Sequence, residues 1–129
     1  MKVMLEKPDR LTVLLASKDT FFTEMVLGIL HENGYPVVVT ESCGEVLEYM
    51  LDKEFDFVIM DPDLEPLMGS DAIKIVKKLK PNTPLITVND ESSFETGIKI
   101  AETGVFFRLG KPVDEKMTKD IVKLMEKKK

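Results

Sequence analysis

Two side chains in this sequence are suited by type to joint chemistry: the carboxylate of Asp61 and the ammonium of Lys111, each at the end of a short apolar run. A carboxylate held beside an ammonium can accept a phosphoryl group. One oxygen attacks phosphorus while the lysine neutralises charge developing on the phosphoryl oxygens. Other polar groups stand at comparable places: Ser17-Lys18-Asp19, Glu41-Ser42, Asp63 and Asn89-Asp90. Each signal is weak alone. Asp-Pro is a common strand exit, and Lys111-Pro112 reads equally well as one. Lys18 has an equal claim to an exposed loop, with its stem lying along the surface. The lone histidine, His31, is expected to be solvated, and Cys43 to be a small core filler.

These residues need elements to position them, and the apolar pattern supplies such elements. Short solid apolar runs at Leu11–Ala16, Tyr35–Thr40, Phe55–Met60, Leu85–Val88 and Val105–Leu109 read as buried strands. Between them the spacing changes to that of helices. Phe22, Met25, Val26, Ile29 and Leu30 form one stripe, closed by Asn33-Gly34. A capping box at Ser42 and Glu45 opens a second helix with Val46, Leu47, Met50 and Leu51 inward. Ser70–Leu79 is the third. Ser92 and Glu95 open a fourth that ends at Gly104. Asp114 caps a last helix with Met117, Ile121, Leu124 and Met125 inward.

Strands and helices in strict alternation require crossover connections, hence a doubly wound α/β fold with a five-stranded parallel sheet. With strand order 2-1-3-4-5, the carboxyl ends bring Asp61 to the middle, Lys111 in from the last strand and Asn89 from the fourth.

The bulk numbers narrow the class. A chain of 129 residues fits one domain, 1–129 with a core of about 10–126, and leaves no room for an output domain. A net charge of −5 argues against nucleic-acid binding. No apolar run reaches the roughly 20 residues of a membrane span. A single cysteine suits a reducing cytoplasm. The turn after the first strand lacks the glycines of a dinucleotide or nucleotide-triphosphate loop, and Ser17 and Thr20 are too little for a flavin phosphate loop.

From Leu11 to about Met125 the chain resembles the receiver domains of two-component response regulators, which share the flavodoxin-like (βα)5 fold. The resemblance rests on FDFVIMD ending at Asp61, on Gly69, Gly34-Tyr35 and Gly104, and on Lys111-Pro112, whose proline is usually cis in the family. It implies phosphorelay signalling by a stand-alone domain, Asp61 being the phosphoacceptor position. It also implies a histidine kinase or phosphotransfer protein as donor. A downstream protein would be met through the face of the fourth helix, fifth strand and last helix. No enzyme activity is expected beyond the phosphotransfer and dephosphorylation that receivers catalyse on themselves.

The chain also departs from the family pattern. The two acidic residues that normally hold Mg2+ are here Ser17 and Lys18, the switch Thr or Ser is Asn89, and the aromatic on the fifth strand is Arg108. Exchanging a ligand aspartate for lysine turns attraction into repulsion, about 4 kcal/mol for one charge at roughly 4 Å and an effective dielectric of about 20. Asp61, Asp19 and Asp63 are then the remaining candidate ligands for a weak or absent Mg2+ site. Asp19 would serve only by a one-residue slip that turns the first helix's stripe off the core. Lys18 would instead pair with Asp61 in place of the metal. Reduced or absent phosphorylation is expected, and the alternative function is a phosphorylation-independent pseudo-receiver that binds a partner constitutively.

Overall fold

A computed structural model describes residues 11–66, 69–89 and 104–128. Its elements are β1 (Val13–Ala16), α1 (Thr20–Glu32), β2 (Val37–Thr40), α2 (Cys43–Asp52), β3 (Phe57–Met60) and α3 (Ser70–Leu79). They are followed by β4 (Leu85–Asn89), β5 (Phe107–Gly110) and α4 (Glu115–Lys128). The strands form one parallel sheet in the order β2-β1-β3-β4-β5. This is the expected doubly wound, flavodoxin-like arrangement. The fourth helix expected from Ser92 and Glu95 lies outside the described residues.

Strand side chains alternate between the two faces, so each solid apolar run divides into two half-cores. Val13, Leu15, Phe57, Ile59, Ile86, Val88 and Leu109 meet Phe22, Val26, Ile29 and Leu30 of α1 and Ile121, Val122 and Met125 of α4. Leu14, Ala16, Val58, Met60 and Leu85 meet Cys43, Val46 and Met50 of α2 and Ala72, Ile73 and Val76 of α3. Both layers are buried and apolar, which is why the runs contain few polar residues.

Except for β4, which starts with its run at Leu85, the strands begin two residues later than the apolar runs, because the first residues approach the sheet without completing its ladder. Thr12 shows this: its amide goes to the Asp56 carboxylate at 2.8 Å rather than to a neighbouring strand. Local caps fix the helix ends. Asp19 accepts from the Phe22 amide at 3.0 Å to open α1, and Gly34, at φ 74°, supplies the left-handed residue after it. Asp114 accepts from the Met117 amide at 2.8 Å. The box at Ser42 is only half closed. Ser42 accepts from the Glu45 amide at 3.3 Å, but the Glu45 carboxylate turns to the Thr40 hydroxyl, and that hydroxyl takes the Ser42 amide at 3.2 Å.

Two helix stripes are rotated from expectation. In α4 the buried set is Thr118, Ile121, Val122 and Met125, while Met117 and Leu124 are 37% and 40% exposed. A helix against the flank of a sheet buries neighbouring i, i+3, i+4 rows, and Thr118 hides its hydroxyl by donating to the Asp114 carbonyl at 3.1 Å. In α2, Cys43, Val46 and Met50 are buried, Leu47 is half-buried, and Leu51 is 69% exposed.

Candidate functional site

β3 delivers Asp61 to the carboxyl edge, where its amide donates to the Ala16 carbonyl at 2.9 Å. The carboxylate is fixed at both oxygens. Oδ1 accepts from the Asp63 amide at 2.9 Å, and Oδ2 lies 3.1 Å from Lys111 Nζ. Gly69, at φ 69°, closes the loop behind it by donating to the Pro62 carbonyl at 2.8 Å. Side-chain exposure is 12% for Asp61 and 25% for Lys111, so the pair is mostly shielded from water.

Lys111 follows β5, and its peptide bond to Pro112 is cis, as is that between Glu65 and Pro66. Its ammonium also lies 3.6 Å from Asp19 Oδ2. Burial lowers the Lys111 pKa, but the hydrogen bond and charge of Asp61, helped by Asp19, outweigh burial and raise it above the ordinary 10.5. The lysine is a fixed cation here.

The first turn differs from expectation at Asp19, whose carboxylate lies near Lys111. Of the two readings of Lys18 the structure has the exposed one: the partners of Asp61 are Lys111 and the Asp63 amide, and no Lys18–Asp61 pair is formed. Ser17, 3% exposed, is held by β2 through its amide to the Thr40 carbonyl at 3.1 Å, and its Oγ accepts from the Asp19 amide at 3.0 Å. This tight turn sends Lys18 outward and brings Asp19 back. Asp19 therefore reaches the site without any register slip, and Phe22, Val26 and Ile29 stay buried. A side chain at the helix N-cap turns back over the helix start, and that geometry was the overlooked signal.

Asn89 ends β4 and pairs in register with Gly110, next to Lys111. Asp63 is exposed beside the Asp61 turn, and Arg108 is exposed on β5. Pattern reading missed Phe21, which is 79% exposed. It lines a cleft of about 450 Å3 with Asp19, Phe22, Lys111, Pro112 and Val113.

At this edge a divalent cation would meet two carboxylates, Asp61 and Asp19, that already share the Lys111 ammonium. Among the described residues no three His, Cys, Asp or Glu side chains gather as a metal-ligand group, so Asp61, Asp19 and Asp63 do not form one. The two carboxylates that do face each other share the Lys111 ammonium. Mg2+ requires several oxygen ligands in near-octahedral array and an attractive field. Among the described residues no helix is long and apolar enough to cross a membrane.

The family model of the response regulator receiver domain matches residues 13–123. The regulator NtrC of Bradyrhizobium sp. (strain RP501 Parasponia) is 30% identical over 105 residues, covering 81% of this chain and 22% of that protein. ZraR of Escherichia coli O157:H7 is 28% identical over 106 residues, covering 82% of this chain and 24% of that protein. The chain thus spans about a quarter of the length of these curated relatives. A CheY-like receiver domain from Methanospirillum hungatei JF-1 superposes with a TM-score of 0.83, covering 92% of this chain and 95% of that one at 23% identity, a likeness of fold.

Proposed function

From the premise that this chain belongs to the response regulator receiver domain family, we propose that it is a phosphorelay module whose Asp61 takes a phosphoryl group from a phosphohistidine donor. The observation that carries this is the Asp61–Lys111 contact at 3.1 Å, shielded at the carboxyl edge of the central strand. An Asp61 oxygen forms a bond to phosphorus as the donor's P–N bond breaks, and the imidazole leaves with a proton from solvent. Lys111 balances the charge on the phosphoryl oxygens. A histidine kinase or phosphotransfer protein supplies the donor, and exposed Phe21 beside Lys111 and Asp19 offers it an apolar contact. Output passes to a downstream protein over the surface that includes β5 and α4.

A second reading is a constitutive pseudo-receiver, favoured by Lys111 being shared between Asp61 and Asp19 and by Ser17 and Lys18 at the family's acidic positions. With the Lys111 ammonium as the cation at Asp61, transfer is expected to be slow and insensitive to Mg2+. Incubation with a small phosphodonor, with and without Mg2+, followed by intact mass measurement separates the two readings. A stoichiometric phosphoryl adduct lost in Asp61→Asn supports the first, and no adduct at any donor concentration refutes it.

A further inference from the structure

The sheet face carrying α2 and α3 has a charge pattern that the Asp61 site does not use. α2 contains Glu45, Glu48 and Asp52 and no basic residue; α3 contains Lys74, Lys77 and Lys78, with Asp71 in its first turn as the one acid. Glu48, Asp52, Lys74 and Lys78 are all exposed, and among the described residues none of these four has an ion-pair partner. Two apolar side chains are exposed with them, Leu51 at 69% and Ile75 at 39%. One turn away, Leu47 and Leu79 are partly buried against the core beneath.

Helical geometry orders these residues. Positions i and i+4 share a side, which groups Leu47 with Leu51, Ile75 with Leu79, Glu48 with Asp52 and Lys74 with Lys78. Both helices return between parallel strands over one face, so they run parallel to each other. Right-handed crossovers turn Leu47 and Leu51 toward α3, and Ile75 and Leu79 toward α2. The surface is an apolar groove with an acidic ridge on one side and a basic ridge on the other.

We propose that this face joins two copies of the chain about a two-fold axis running along the groove, parallel to the helices. An isologous contact must be complementary to itself, and adjacent ridges of opposite charge meet that condition. The rotation lays α2 of one copy against α3 of its partner. Both helices start at the carboxyl edge of the sheet; taking their first residues, Cys43 and Ser70, as level, Glu48 and Lys74 differ in height by one residue, about 1.5 Å, and so do Asp52 and Lys78. Both pairs therefore meet in one register, and Leu51 and the partner's Ile75, three residues or about 4.5 Å apart in height, line the centre between them. Asp71 stands level with uncharged Gly44. Symmetry gives four ion pairs around an apolar centre. The association goes beyond the phosphotransfer reading, since it needs neither Asp61 nor Lys111.

Sedimentation velocity of the full chain at low and high salt tests this. A dimer is expected at low salt, weakened as salt rises. Glu48→Lys with Asp52→Lys, and separately Lys74→Glu with Lys78→Glu, are each expected to weaken self-association at least about 15-fold, since an exposed ion pair is worth roughly a twofold effect and four are lost. An equimolar mixture of the two variants is expected to form a one-to-one dimer, because every contact is again between opposite charges. Leu51→Ser lowers association with the charges intact, and circular dichroism verifies that each variant is folded. A wild-type monomer at low salt, a folded charge variant that associates like wild type, or a mixture that does not pair overturns the proposal. A face that serves a different protein gives the first of these.

Discussion

Lys111→Met keeps most of the lysine stem and removes its charge, leaving Asp61 and Asp19 to face each other. At 3.1 Å to Asp61 and 3.6 Å to Asp19, each attraction is worth about 5 kcal/mol at an effective dielectric of about 20. Desolvation of three partly buried groups offsets most of that. Exposed pairs contribute at most about 1 kcal/mol, while breaking a buried pair costs about 3–5 kcal/mol. Side-chain exposures of 12% for Asp61 and 25% for Lys111 lie between these limits, and Asp19 at 35% adds little. The expected loss is about 2 kcal/mol, or roughly 30-fold in the folding equilibrium. Urea unfolding of wild type, Lys111→Met, Asp61→Asn and the double variant measures it as a coupling energy. The pH dependence has a definite sign. The folded pKa of Lys111 is raised, so its contribution is fully present below the unfolded value near 10.5 and is lost as pH rises through the folded value. A coupling energy under about 0.5 kcal/mol, or a wild-type advantage that shrinks between neutral pH and the ordinary lysine range, would refute the reasoning.

In α4, Ile121→Ala is expected to cost about 2–4 kcal/mol and Met117→Ala under about 1 kcal/mol, because only the former empties a core position; chemical denaturation ranks them. Asp114→Ala removes the acceptor of the Met117 amide and is expected to cost about 1 kcal/mol, read as a lower thermal midpoint.

The fold was legible because a sheet covered on both faces needs solid apolar runs, and few other structures use them. α3 was readable to its ends, since Gly69 precedes it and Lys80-Pro81 follows it. Strand starts were not, because Leu11, Tyr35 and Phe55 are apolar for reasons of packing while the ladder begins later. The stripes of α2 and α4 were misassigned where every row of a short helix contains an apolar residue. There the pattern does not separate Leu51, which is exposed, from Val46 and Met50, which face the sheet. The Asp61–Lys111 pair followed from strand order alone. The first turn did not: whether Lys18 or Asp19 enters depends on backbone direction through Ser17, and that is set by its bonds to Thr40 and Asp19.

Asp19 divides its two oxygens between separate duties: Oδ1 receives the Phe22 amide, and Oδ2 faces Lys111. A phosphoryl group added to Asp61 would draw the lysine toward itself and away from Asp19 Oδ2, while the other end of that carboxylate stays fastened to the first turn of α1. The Phe22 amide resonance is therefore expected to shift with the charge on Asp61, an outcome that NMR checks without a label on the acceptor.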